Sequence, residues 1–156
     1  MSSLSIRTAG LSDITLIAQL AKRLWPICYK ELLTEDALAY MLDKFYDVAA
    51  LHQQMSELQH QFIIAAIDNE AVGFASYELN HLQVGHTKLH KLYVLTTIHG
   101  KGIGRSMVQH IKTVAKAANQ QEMYLHVNRG NAAQYFYEKL GFQIVRSEDI
   151  DIGHGY

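Results

Sequence analysis

His99-Gly100-Lys101-Gly102-Ile103-Gly104-Arg105 is the stretch on which the reading of this chain turns. Upstream, residues 89–95 (LHKLYVL) alternate like a strand. Downstream, residues 105–118 read as a helix, with Met107, Ile111, Val114 and Ala118 along one face and Lys112 and Lys116 turned away. Glycines let the backbone turn tightly and let a ligand approach with no Cβ in the way. The first amides of the following helix have no internal partner, and the helix dipole adds partial positive charge there. A strand, a glycine turn and a helix in that order predict a site for phosphate or pyrophosphate, to which Lys101 and Arg105 add charge. A glycine-rich turn without a ligand is the alternative. Two other phosphate loops fit worse. A Walker loop ends in Gly-Lys-Ser/Thr, whereas Gly102 follows Gly100-Lys101; a dinucleotide fingerprint needs a third glycine where Met107 stands.

Outward from this turn the chain reads as alternating elements. Residues 5–8 form a short first strand. Ser12 is a candidate N-cap for a helix carrying Ile14, Ile17, Leu20, Ala21 and Leu24, which Pro26 ends or kinks. Residues 34–45 and 48–58 read as further helices. Residues 61–67 (QFIIAAI) and 71–79 flank the turn signal Asp68-Asn69 and form a hairpin. Residues 122–127 read as a strand, 131–140 as a helix and 142–145 as a strand. That order predicts one α/β core, a mixed sheet with helices packed on it.

Composition bounds the function. With 156 residues, 49% of them apolar and 19% charged, the chain is expected to form one compact domain over 1–156. A net charge of −1 gives no reason to expect a nucleic acid or an anionic membrane as partner. The single cysteine, Cys28, excludes an internal disulfide framework. The first residues lack a basic stretch followed by an apolar one, and no apolar run is long enough to span a bilayer, so a cytoplasmic protein is expected.

A second segment, residues 128–142 (NRGNAAQYFYEKLGF), is locally coherent. Asn131 is a suitable N-cap with Gln134 three residues on, Gly141 suits a left-handed C-cap, and Phe142 can fold back onto the helix. Alone it is equally well read as a capped packing helix with Tyr137 as a half-buried aromatic.

Together the two segments resemble the GNAT superfamily of acetyl-CoA-dependent N-acetyltransferases. The glycine turn is similar to that family's pyrophosphate motif (Gln or Arg, two residues, Gly, one residue, Gly or Ala), with Gly102 and Gly104 on the glycines and His99 where Gln or Arg is usual. The second segment is similar to the family's Asn, Ala, Phe-Tyr-Glu-Lys-x-Gly-Phe motif. The motifs cover roughly residues 88–145, in the family's order.

The resemblance implies a GNAT fold: a mixed, mostly antiparallel sheet of about six or seven strands, with helices on both faces and a splay between strands 89–95 and 122–127 that admits the pantetheine arm. It implies acetyl-CoA as co-substrate, held by Tyr93, Val94, His99, Gly100, Lys101, Gly102, Ile103, Gly104, Arg105 and Asn131, and Tyr137 as the acid that protonates the departing sulfur. The family's base position falls on Lys91, a poor base at the usual lysine pKa. His90, His126 and a water relay are alternatives. No metal is expected, since His86 and His90 do not share a helical face. The acceptor is a primary amine of a small molecule or a peptide. Trp25, Tyr29, Tyr40 and Met41 are candidate pocket walls, and Glu31, Glu35 and Asp36 are candidate partners for a polyamine. A protein that binds acyl-CoA and regulates without turnover is the alternative. Family members carry one more strand beyond residues 142–145; here residues 149–156 follow, and a short last strand would leave an edge that a second copy, as a homodimer, could cover.

Overall fold

The computed structural model describes residues 4–29, 33–95, 102–127 and 133–143. In chain order they form β1 (Leu4–Ala9), α1 (Ile14–Tyr29), α2 (Glu35–Tyr46), α3 (Val48–Ser56), β2 (Gln61–Ile67), β3 (Glu70–Glu78), β4 (His86–Val94), α4 (Ile103–Ala117), β5 (Glu122–Tyr124) and α5 (Ala133–Lys139). The five strands lie in sequence order in one sheet. β1 to β4 are antiparallel neighbours, and β5 joins β4 in parallel. The expected mixed, mostly antiparallel sheet is therefore present, with five strands among the described residues rather than six or seven.

The hairpin between β2 and β3 turns on Asp68 and Asn69, both at positive φ (50° and 70°). Two such residues give the turn whose twist matches the strands it joins. Thr34 caps α2 by accepting the Ala37 N–H at 3.1 Å, and Asp47 caps α3 by accepting the Ala50 N–H at 2.6 Å. The expected cap at Ser12 gives way to another device. A 3-10 turn over Leu11–Asp13 leads into α1, and the Asp13 carboxylate accepts the Gly10 N–H at 2.9 Å while pairing with Arg7 of β1. α1 also runs through Pro26 to Tyr29. Trp25 and Tyr29 pack their rings 4.7 Å apart across that point, so the packed face continues past the missing N–H.

Two helical layers sandwich the sheet. The side chains of Phe74 and Tyr93 face α1 and α2, where Tyr46 and Trp25 meet them. The backbone at Gly73, one residue away on β3, faces Met107 of α4. On α4, Ile103, Met107, Val108, Ile111 and Ala115 are buried. Of the stripe expected from the sequence, Met107 and Ile111 are in this set, Val114 is partly buried against the core and Ala118 is the C-cap, while Lys112, expected to turn away, reaches the Leu140 carbonyl. The strand expected at residues 142–145 does not begin at Phe142. Gly141 is left-handed (φ 99°), and the Phe142 N–H returns to the Tyr137 carbonyl at 3.1 Å, closing α5. The rest of that segment, like residues 149–156, lies outside the described residues. No helix among the described residues is long and apolar enough to cross a membrane.

Candidate active site

β5 pairs with β4 over three residues only: His86 with Glu122, Thr87 with Met123 and Lys88 with Tyr124. Beyond Lys88, β4 runs on to Val94 with no strand on that side among the described residues. The ladder between the two strands thus ends where the splay is expected, and β5 stops at Tyr124, shorter than the strand over 122–127 that the sequence pattern suggests. Unpaired main-chain groups along β4 at this point are what an extended chain bearing amides would need.

The glycine turn leads to the same place. Of the cofactor-binding residues expected from the sequence, His99, Gly100, Lys101 and Asn131 lie outside the described residues. Gly102 is the N-cap of α4, left-handed at φ 73° and ψ 18°, with no side chain capping the helix. The first amides of α4, from Ile103 through Arg105, are thereby left for an external acceptor. Gly104 has a different task from the one its motif position suggests. A Cβ there would sit 3.1 Å from Cζ of Phe136, so its smallness admits α5 rather than a phosphate.

α5 is thus pressed against the start of α4, and Lys112 ties its end by donating to the Leu140 carbonyl at 3.2 Å. Tyr137 of α5 packs between Phe136 and Phe142 and turns toward the sheet core. Burial, with Tyr29 adding to it, pushes its pKa well above the usual tyrosine value. The hydroxyl therefore stays protonated through the working pH range. Tyr93 of β4 is pushed up likewise, by burial and then by Tyr46 and Tyr29, and its hydroxyl lies 2.8 Å from that of Tyr29. Trp25, Tyr29, Tyr46, Phe74 and Tyr93 form one contiguous ring cluster, with centroids 4.7–6.0 Å apart. Two polar atoms in this layer, Nε1 of Trp25 and Oγ of Ser76, are buried without a hydrogen-bond partner among the described residues. Val94 closes the strand, buried on the opposite face.

Next along β4 is a group of side chains that no local sequence pattern marks. The register of β3 against β4 slips between Ser76 (opposite Lys91) and Tyr77 (opposite Leu89), which leaves His90 as the extra residue of a β-bulge. His90 donates toward Glu78 at 3.0 Å, and His60, from the entry to β2, stacks on it at 3.9 Å with planes 17° apart. His60 reaches the same carboxylate oxygen at 3.5 Å. Burial, reinforced by neighbouring cations, lowers His60 to about 4 and His90 further, so both rings are neutral at pH 7. The donor atoms of His60, Glu78 and His90 all lie within 4.8 Å of one another. The stack, however, sets the two ring planes side by side, and no point about 2 Å from both nitrogens lies in both planes, as shared metal ligation asks. His126, the other histidine considered as a base, is exposed and beside Tyr124.

A family model described as "Acetyltransferase (GNAT) family" matches residues 18–142. The chain belongs to that family, and it is an N-acetyltransferase, an acyl-transferring enzyme. It is similar to an uncharacterized N-acetyltransferase of Mycobacterium tuberculosis, 25% identical over 92% of this chain and 91% of the relative. It is also similar to the peptidyl-lysine N-acetyltransferase YjaB of Salmonella typhimurium, 30% identical over 69% of this chain and 72% of the relative. In three dimensions it resembles the PaiA N-acetyltransferase of Thermoplasma acidophilum, solved in complex with coenzyme A, with a TM-score of 0.81 and 24% identity over 96% of this chain and 94% of that one.

Proposed function

We propose that this enzyme moves an acetyl group from acetyl-CoA directly to a primary amine of a small molecule. The observation that carries the proposal is that α5, which bears the buried Tyr137, packs by Phe136 against Gly104 at the start of α4, beside the left-handed Gly102 cap, with Tyr137 near Tyr93 of the strand that β5 leaves unpaired beyond Lys88. Acetyl-CoA supplies the activated acetyl group as a thioester. Its pyrophosphate would meet the amides that start α4, from Gly102 to Arg105, with His99, Gly100, Lys101 and Asn131 completing the set. Its pantetheine arm would lie along the main chain of Tyr93 and Val94. The structure of the Thermoplasma protein with coenzyme A supports this reading.

Tyr137 is the acid in this scheme. The dry surroundings that raise the phenol also raise a sulfur anion leaving beside it, so the two remain matched for proton transfer. Among amines, a polyamine would look for carboxylates. Glu35 and Asp36, both exposed, stand in the first turn of α2, where they also complement the helix dipole. Glu31 lies outside the described residues. The peptidyl-lysine activity of the Salmonella relative places peptide amines beside small ones in the set to be tried.

Residues 1–156 are taken to act as a single domain in the cytoplasm. A homodimer covering the sheet edge that a short last strand beyond residues 142–145 would leave is a further part of the proposal, and sedimentation as a monomer at all concentrations would remove it. The main proposal is tested by thermal shift followed by thiol release. Acetyl-CoA should raise Tm, whereas ATP and NAD should not. A panel of polyamines, aminoglycosides and lysine peptides should then contain an acceptor that releases free thiol. Stabilisation by acetyl-CoA with no thiol release from any amine would favour a regulatory acyl-CoA-binding protein.

A further inference from the structure

Lys91 carries its ammonium end into the ring-lined layer between the sheet and α1–α3. Its Nζ donates to Oε1 of Gln54, a buried residue of α3, at 2.8 Å. It stands 5.4 Å from the ring centroid of Tyr46 (α2) and 5.6 Å from that of Phe62 (β2). Among the described residues no carboxylate is paired with it. Glu78, the acid of the neighbouring histidine cluster, is engaged by His60 and His90. Across the sheet its register partner is Ser76, whose Oγ is buried without a partner among the described residues. Along β4, Lys91 precedes Tyr93 by two residues. Their side chains therefore share a face, with Cα atoms about 7 Å apart.

Resting on the acetyl-transfer reading above, we propose that Lys91, oriented by Gln54, takes the proton from the acceptor amine. In the step, the acceptor nitrogen bonds to the acetyl carbon and the carbon–sulfur bond breaks. The proton released from nitrogen passes to Nζ of Lys91, and the departing sulfur takes the proton of Tyr137. Gln54 is a positioning residue: by accepting one N–H it leaves the lone pair of the neutral amine free to point elsewhere. The electrostatics agree with the geometry. Burial first, and then the charge of Lys88, lowers Lys91 to about 7, so a large share of it is neutral near pH 7. The other groups facing it act weakly or cancel: His60 and His90 are neutral, the Tyr46 and Phe62 rings favour the cation only modestly, and Glu78 is shared by the two imidazoles. The objection from sequence, that lysine is too basic for this task, thus rests on a pKa that this lysine does not have here.

Arginine separates the base from the cation, since a guanidinium keeps the charge and never gives up its proton. With the best acceptor from the amine panel, kcat/KM of the wild-type enzyme should rise with pH through a limb near 7. Lys91→Arg should lose about 10²–10⁴-fold in kcat and lose that limb, while keeping the acetyl-CoA thermal shift. Lys91→Met, close in volume, should do the same if arginine disturbs the fold. Trimethylamine, which accepts a proton but yields no stable amide, should restore part of the rate to Lys91→Ala. Gln54→Leu should move the limb and lower kcat with less effect on KM. Wild-type kcat and an unchanged pH profile in Lys91→Arg or Lys91→Met would overturn the proposal and leave the acetyl-transfer reading intact. A wild-type protein that acetyl-CoA fails to stabilise would overturn both.

Discussion

The two faces of the sheet are built from different chemistry. Against α4 the sheet buries aliphatic and thioether groups: Ile103, Met107, Val108, Ile111 and Ala115 contribute no titratable atom. Against α1, α2 and α3 it buries hydroxyls, imidazoles, an ammonium and a carboxamide, on Tyr29, Tyr93, His60, His90, Lys91 and Gln54. Polar groups taken from water destabilise a fold unless they find partners. Here some do, and others, such as Oγ of Ser76 and Nε1 of Trp25, do not among the described residues. Both faces supply apolar core, with Ile17, Leu24 and Leu51 buried on the α1–α3 side, but that side also accepts a cost in stability where the chemistry is proposed to occur.

The comparison can be broken at several points. Tyr137→Phe should have the largest effect, lowering kcat by about 10²–10⁴-fold with little change in acetyl-CoA affinity. Unchanged turnover, measured by thiol release, would take Tyr137 out of the acid role. On the other face, Met107→Ala should cost about 2–5 kcal/mol of stability in denaturant unfolding, since Met107 is 0% exposed. Its kcat, measured well below its Tm, should stay near wild type. A comparable loss of kcat would show that the α4 face is not chemically silent.

The two glycines of the turn should separate next. Gly104→Val drives a branched side chain into Phe136 and should cost about 1–3 kcal/mol, displacing α5 and lowering kcat as well as cofactor affinity. Gly102→Val meets nothing within 4 Å but is strained at φ 73°, and should weaken acetyl-CoA binding more than it alters turnover of the bound complex. Isothermal titration and single-turnover kinetics on both variants would read the difference.

Acid should act on the polar face. His60 and His90 have lower pKa values folded than the ordinary 6.5, so below that value the unfolded chain binds protons that the fold refuses. Stability is then full above pH 6.5 and falls as pH drops from there toward 4. Melting curves should show Tm falling across this window, and less steeply in a His60→Gln, His90→Gln double variant. The smallest effect belongs to the exposed pair Arg7–Asp13, where Arg7→Ala should cost about 0.2–1 kcal/mol.

The sequence made these two faces unequally legible. α4 could be read directly, because Met107, Ile111 and Val114 recur at the helical period within one segment. The β2–β3 hairpin was equally plain from two apolar runs around Asp68-Asn69. Tyr93, Gly102 and Tyr137 were reached through motifs whose residues are contiguous. The cluster of His60, Glu78, His90, Lys91 and Gln54 was not, since it gathers side chains from one helix, two strands and the entry to a third, and no local period marks it. His90 is aimed into it by a bulge, a one-residue slip that alternation alone does not reveal. The pKa of Lys91 was out of reach for the same reason, since burial sets it and burial is a property of the fold. Gly104 shows the converse: its motif position was visible, but its contact with Phe136 of a separate helix, α5, was not.

The most direct test of the account is a crystal structure of the protein with acetyl-CoA bound. It should show the diphosphate on the amides that begin α4, the thioester between β4 and β5, and the Tyr137 hydroxyl within hydrogen-bonding distance of the sulfur. A cofactor seated away from this opening, or a thioester facing the aliphatic α4 layer instead, would contradict it.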